Sequence, residues 1–415
     1  MSWKTIRLAI LVILGLVLAA VPGLVGCGGA ETEKVNVVVG SLADFSGAAS
    51  SAVVPTVDAY EEAIIYYQEK DPIKGVIFDF PHYDHQLNYA KAKDGYDFLK
   101  SQGMDFLYCM GGTERDILAS FVAEDHMPTF GSYATDLTLA LPFIYTQTPT
   151  QTWGSEAQMQ WIAETWDYSG GPPKIGHQGW ALSTSDEIQL GIQNALDDPD
   201  YAGKFNFVAF DKATMTNAAW TASYAKFKNC DYVFVSSVGN SLSTFVSQMR
   251  SLGYQGWFLS GCNQFPGYWT AVQATTPPAS LYKCGYAWWG PILGSDNPAD
   301  WYQDMLATIK VNHSDWAKRL TSTGPISGWH MGYITWDVIR RAVEKVGAEN
   351  LDGDAINEAF LTYEKNFEGT GNVFKITANR HTGLWTHQMV VWNVDSSKWE
   401  VTADGKWYDP LVVPE

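Results

Sequence analysis

Cysteine is scarce in this 415-residue chain, with Cys27, Cys109, Cys230, Cys262 and Cys284 the full set. No pair is spaced as Cys-x-x-Cys and no Cys/His cluster has zinc spacing, so a metal site of that kind is unsupported. Basic residues are also few, 27 against 45 acidic ones, for a formal charge of −18. A surface of that sign repels phosphate backbones and anionic lipid, which argues against nucleic-acid binding and against any membrane contact beyond an anchor. Gly-x-Ser-x-Gly elbows and P-loops are missing. No carboxylate pair is singled out as an acid/base dyad, so neither an enzyme nor a cofactor is expected.

Long apolar runs are confined to the amino terminus. Lys4 and Arg7 precede an apolar stretch from Leu8 to Val21, followed by Pro22-Gly23 and Leu24-Val25-Gly26-Cys27. A charged start, an apolar middle and a small-residue cleavage site make an export signal. The apolar run, at roughly 14 residues, is short for a spanning helix, which needs about 20. Leu24-Val25-Gly26-Cys27 resembles the bacterial lipobox, in which the cysteine is acylated and becomes the first mature residue. An ordinary signal peptide that happens to end at a cysteine is the plainer alternative. The small and polar segment from Gly28 to Lys34 suits a flexible tether and favours the lipid anchor at Cys27. Loss of Lys4 and Arg7 with the leader brings the net charge to about −20.

Export permits disulfides, and the four remaining cysteines allow three full pairings. Cys262 with Cys284 is the expected pair, and four buried thiols are the alternative.

From Val35 onward, short β-rich runs alternate with helical patterns, as in a parallel sheet flanked by helices. Strands are expected at Val35–Gly40, Val76–Phe80, Asp105–Met110 and Pro128–Gly131, with helices near Val57–Glu69, Tyr89–Gln102 and Glu114–Glu124. A second unit follows Thr148-Pro149-Thr150, with a helix near Trp153–Trp166 and strands at Lys174–Gln178, Phe205–Phe210, Asp231–Ser236 and Trp257–Ser260. Leu242, Phe245, Val246, Met249 and Leu252 form one helical stripe facing a core. Thr184-Ser185-Asp186-Glu187 reads as a capping box.

Beyond Tyr282–Trp289 the pattern is one strand and then mostly helices, including the stripe Met331, Ile334, Val338, Ala342 and Val346. The economical arrangement is α/β, with two doubly wound lobes joined by three crossovers around a cleft. Its expected boundaries are 1–26 for the leader, 27–34 for the tether, 35–149 plus 284–380 for one lobe, and 150–283 plus 381–415 for the other.

Several short motifs occur in order along this frame. Asp44-Phe45-Ser46-Gly47 follows the first strand, Tyr83-Asp84-His85 the second, Met110-Gly111-Gly112-Thr113-Glu114 the third, and Gly131-Ser132-Tyr133-Ala134-Thr135-Asp136-Leu137 the fourth. Their order and spacing resemble the extracytoplasmic solute-binding proteins of branched-chain amino acid importers, the leucine/isoleucine/valine-binding type. The resemblance runs from Val35 to about Trp399. It implies the type I periplasmic-binding-protein fold and a monomer in the periplasm or at the cell surface. It also implies a small-molecule solute and an ABC permease as partners.

By that resemblance Gly112, Thr113, Tyr133, Ala134 and Thr135 hold a ligand carboxylate or an equivalent polar group. Helix amino termini with free N–H groups suit such a charge. Alternatively, Thr113 and Thr135 only cap their own helices. Amino-acid-binding members place a carboxylate after the strand matching Trp257–Ser260 to pair with the ligand's ammonium. This chain offers Cys262 and Asn263 there, so Asn263 joins the expected site, and Glu114, Asp186 or a shifted acid must supply any anion.

Tryptophan is abundant, with 18 residues. Trp180 and Trp288 end strands at the expected cleft and would suit an aromatic or bulky apolar ligand. Trp161, Trp166 and Trp336 read as packing residues. His82, Asp84 and His85 read as a strand-to-helix loop with Asn88 as an N-cap, not as a metal cluster. A ligand-sensing domain for a signalling partner is the second reading of the whole chain. A secreted carbohydrate-active enzyme is the third.

Overall fold

The structure is a computed structural model that describes residues 34–133, 135–214, 217, 219–261, 264–291, 299–370 and 372–412, with Tyr133 described in its backbone alone. Cys27, Ala134, Cys262 and Asn263 lie outside the described residues.

The first lobe opens with β1 (Val35–Ala43), α1 (Ser50–Lys70), β2 (Val76–Asp79), β3 (His82–Asp84) and α2 (Ala92–Ser101). It continues through β4 (Phe106–Cys109), α3 (Gly112–Glu124), β5 (Thr129–Tyr133) and β6 (Ile144–Thr148). Its strands are parallel in the order β2-β1-β4-β5-β6, with β3 beside the second half of β1. Val37 and Val39 of β1 join one buried cluster with Val57, Tyr60 and Ile64 of α1. Val38 and Leu42 join another with Tyr96, Leu99, Leu118 and Val122 of α2 and α3. A strand covered on both faces is apolar at every position, which is why these strands read as continuous runs in the sequence.

The second lobe repeats the plan with α4 (Gln151–Thr165), β7 (Lys174–Trp180), α5 (Ser183–Asp197), β8 (Asn206–Ala213), α6 (Thr221–Phe227) and β9 (Tyr232–Val235). It is extended by α7 (Gly239–Ser251), β10 (Trp257–Ser260), α8 (Gln264–Thr275) and β11 (Cys284–Trp288). The strands β8-β7-β9-β10-β11 again have the first two swapped and are parallel. In each sheet the order reverses beside the opening strand, β1 or β7, and such a switch point leaves a crevice at the strands' carboxyl ends.

The chain then returns to the first lobe as α9 (Asp300–Asn312), α10 (Trp316–Arg319), α11 (Gly324–Val346) and α12 (Gly353–Leu361), followed by the hairpin β12 (Glu364–Asn366) and β13 (Val373–Lys375). The expected stripe on α11 is buried at Met331, Ile334, Val338 and Ala342, with Val346 packed at its edge. Close approach of α11 to α1 depends on glycine. A Cβ at Gly328 would lie 2.1 Å from the Thr56 carbonyl oxygen, and one at Gly332 would lie 2.2 Å from that of Tyr60. A last crossing, just after Thr382 bridges to Thr146, leads to β14 (His387–Asn393), β15 (Lys398–Val401) and β16 (Trp407–Tyr408), which complete the second sheet antiparallel. The lobes are thus joined at three places: after Thr148, after Trp288 and after Thr382.

Three details differ from the sequence expectations. The strand at Cys284 is hydrogen-bonded to β10 and β14, so the return to the first lobe follows Trp288, not residue 284. That strand is buried on both sides and needs a partner on each edge. Cys284 is a free buried thiol, as are Cys109 and Cys230. Its register partner in β10 is Phe258, and Cys262, the partner expected from the sequence, lies outside the described residues. Finally, α5 begins at Ser183 after Leu182, with no side-chain cap. Ser185 Oγ accepts the N–H of Trp180 at 3.0 Å instead, and Glu187 reaches across to the first lobe.

Candidate functional site

Between the lobes, at the carboxyl ends of β1, β4, β5, β7, β9 and β11, lies a cavity of about 100 Å³. The first lobe contributes Asp44, Leu87, Tyr89, Met110, Gly111, Glu114 and Ser132 to its wall. Trp180, Leu182, Ser185, Ser236, Val238, Gln264, Tyr268 and Trp288 come from the second. Two helix starts close the ends: Ala49, Ala52, Val53 and Thr56 from α1, and Thr323, Gly324 and Ser327 at α11.

The indoles are fixed by bonds that point their N–H groups away from the space. Trp180 Nε1 donates to Ser241 Oγ at 3.3 Å, and Trp288 Nε1 donates to the Pro291 carbonyl at 3.1 Å. A polar chain backs Trp180: Ser236 Oγ lies 2.7 Å from Ser185 Oγ and 2.9 Å from His177 Nε2. Burial pushes His177 down to about 4, which keeps its ring neutral above that pH, stacked on Phe210. Asp44 turns inward to cap the loop before α1, accepting the N–H groups of Gly47 at 2.5 Å and Ala49 at 2.7 Å.

At the amino terminus of α3 the chain supplies its own anion. Glu114 is the third residue of that helix, the position from which a glutamate reaches back over the N-cap. A Cβ added at Gly111 would lie 1.9 Å from Glu114 Oε2, so glycine is required there to admit the carboxylate. Its Oε1 lies 3.0 Å from Nε2 of the fully buried His85.

The sequence-expected residues divide clearly. Trp180 and Trp288 line the cavity, as does Glu114, the alternative anion. Gly112, Thr113 and Thr135 are not among the lining residues. Thr113 Oγ1 instead meets Ser183 Oγ across the cleft at 2.8 Å. Thr135 caps the short helical turn Asp136–Thr138 and donates to Asp116 at 2.5 Å. Asp186 pairs with Lys212 on the surface. The walls supplied by α1 and α11 went unnoticed in the sequence, although the hydroxyl-rich start Thr321-Ser322-Thr323-Gly324 was a signal.

Contacts along the rim hold the lobes together. Glu187 Oε1 of α5 accepts the N–H of Asp136 at 2.6 Å, and Thr152 Oγ1 donates to Asp136 Oδ2 at 2.9 Å. Burial drives the Glu187 carboxyl well above its ordinary range, and the negative charge of Asp136 adds to the shift. Asp136 and Asp116 are raised as well, again chiefly by burial. On the opposite side Tyr268 Oη donates to the Ala49 carbonyl at 3.4 Å. The structure is therefore that of closed lobes.

Residues 36–399 match the model of the periplasmic binding protein family, and the chain belongs to that family. No curated protein matches it. Among solved structures it is similar to a branched-chain amino acid ABC transporter protein from Thermus thermophilus with bound valine: TM-score 0.75, 14% identity, 92% of this chain and 97% of that one. A Rhodopseudomonas palustris solute-binding protein in complex with benzoate gives 0.72 at 16% identity, over 92% and 98%. A fatty acid ABC transporter substrate-binding protein from Thermomonospora curvata gives 0.73 at 14% identity, over 91% and 93%. The family model and these shared folds together define the chain as a periplasmic binding protein. No helix among the described residues is long and apolar enough to cross a membrane.

Proposed function

We propose that this protein is the lipid-anchored, extracytoplasmic capture subunit of an ABC importer, working as a monomer that closes two lobes over one small solute. The observation that carries the reading is the cavity itself, walled by both lobes at both switch points and faced by Trp180 and Trp288. A solute touching both lobes favours the closed state by its differential affinity, which is how capture is coupled to closure.

The volume narrows the solute. A cavity of about 150 Å³ takes a benzene ring, so about 100 Å³ suits one ring or one branched aliphatic group and leaves no room for an oligosaccharide. Solved relatives with bound valine and with benzoate have ligands of that scale. An amino-acid-like solute or a small aromatic one with a polar end fits this reading, and no turnover is expected.

Anchoring rests on Leu24-Val25-Gly26-Cys27. Labelling cells with a fatty-acid analogue should mark the wild type and not Cys27→Ser, and equal labelling would refute the anchor. For capture, the purified protein is screened by thermal unfolding against branched and aromatic amino acids, benzoate, benzylamine and glucose. A ligand at a hundred times its Kd adds about 2.7 kcal/mol, or about 5–10 °C for a domain of this size. A shift of that size that is lost in Trp180→Ala supports the site, and one untouched by it moves the site elsewhere.

A further inference from the structure

Two buried oxygens in the cavity wall have no hydrogen-bond donor among the described residues. One is Glu114 Oε2 of the first lobe, on a residue 4% exposed, and the other is Gln264 Oε1 of the second, 1% exposed. An unsatisfied buried acceptor is costly, and an anionic one more so, so such atoms in a binding cavity point to what the ligand brings. Both oxygens want donors. The indole N–H groups of Trp180 and Trp288 are already spent on protein acceptors. Among the described residues no lysine or arginine lines the cavity.

The charges in the wall agree. Asp44 and Glu114 are the acidic residues of the described lining, and His85, which stands behind Oε1 of Glu114, is not part of it. The amino terminus of α3, which would otherwise attract a ligand carboxylate, is covered by the Glu114 carboxylate curled over Gly111. Among the described lining residues, a solute carboxylate would meet two acidic side chains and neither lysine nor arginine.

We infer that the polar end of the solute is a protonated amine, which donates to Glu114 Oε2 while its apolar body lies against Trp180 and Trp288. The inference rests on the capture reading above and names its solute class. Burial of an ammonium is strongly unfavourable without an anion, and Glu114 supplies one that the fold has already desolvated. Gln264 Oε1 supplies a neutral acceptor from the second lobe, so an amine bonded to both would join the lobes as they close.

Three probes that share one ring test this: benzylamine, benzyl alcohol and benzoate, titrated calorimetrically into the wild type and Glu114→Gln. The wild type should bind benzylamine at least about tenfold more tightly than either other probe, the worth of a charged hydrogen bond. Glu114→Gln, which keeps the size of the side chain, should lose about tenfold for benzylamine and change little for benzyl alcohol. Unchanged alcohol binding then shows that the cavity is intact. If the variant does not fold, the wild-type ranking decides alone. Benzoate or benzyl alcohol binding as well as benzylamine, or an unaltered amine affinity in Glu114→Gln, overturns the inference and leaves capture standing. Failure of all three probes, together with the wider panel, overturns capture itself.

Discussion

The carboxylate of Glu187, on the first helix after the opening strand of the second lobe, accepts the backbone N–H of Asp136, on the first lobe, at 2.6 Å. This bond is a latch across the rim, and its acceptor is a carboxyl whose affinity for protons burial has raised. The raised group stabilises the closed form most at low pH and loses that contribution as pH rises through its shifted value. Small-angle scattering of the ligand-free protein should therefore show more open lobes at alkaline than at acid pH. Glu187→Gln, which retains an acceptor, should flatten the trend, and Glu187→Ala should open the lobes throughout. A neutral hydrogen bond is worth roughly 0.5–1.5 kcal/mol, so at acid pH the closed population should fall about two- to tenfold in the alanine variant.

Gly239 begins α7 at φ +57°, and a Cβ there would lie 2.6 Å from the Ala48 carbonyl of the other lobe. Gly239→Val should act as a wedge, with strain of about 1–3 kcal/mol from overpacking added to a left-handed backbone that a β-branched residue resists. The outcome should be weaker solute binding by about tenfold or more with a nearly unchanged urea midpoint. A large fall in that midpoint would place the strain within a lobe.

Gly332→Val tests the opposite case. Its Cβ would meet the Tyr60 backbone inside one lobe, between α11 and α1. Urea unfolding should show a loss of at least about 1–3 kcal/mol, the ordinary cost of overpacking a core. Loss of affinity without loss of stability would contradict the role of this contact in holding the two helices together.

Glu156 of α4 is buried and accepts from Asn194 Nδ2 at 2.6 Å and from the Leu411 N–H at 2.8 Å. Burial is the main reason its carboxyl is pushed up to about 7 from an ordinary 4.5. Its contribution to stability is complete below about 4.5 and is lost as pH rises through about 7. A tenfold change in proton affinity is worth about 1.4 kcal/mol, so the effect is roughly 3 kcal/mol at most. Thermal unfolding from pH 5 to pH 8 should show a steeper fall in midpoint for the wild type than for Glu156→Gln.

Much of this architecture was legible in the sequence because both sheets are covered on both faces. Val37–Val39 and Phe106–Cys109 had to be apolar throughout, and Met331, Ile334, Val338 and Ala342 had to repeat with helical spacing. Shorter pieces were not legible. His82–Asp84 pairs with β1 for three residues only, and a polar strand of that length has no period. Cys284 looked like a disulfide partner because spacing along the chain says nothing of register.

At the site, Trp180 and Trp288 could be placed from the ends of their strands. Thr135 could not be sorted from a cap by its type, since a hydroxyl serves both uses, and here it caps. Glu114 carried its signal as the third residue of a glycine-led helix. The walls from α1 and α11 depend on contacts between segments remote in sequence, which no local pattern encodes.

The closed cavity also has a kinetic meaning. On the capture reading, a solute that touches both lobes behind the rim bonds at Thr113–Ser183 and Tyr268–Ala49 leaves when the lobes part. Its residence time is therefore bounded by how often the lobes part, a motion of microseconds to milliseconds in such hinges. Tight contacts inside the cavity lengthen the stay only by making parting rarer. Any partner that unloads the solute need not recognise it: a grip on two outer surfaces, pulling the lobes apart, is sufficient.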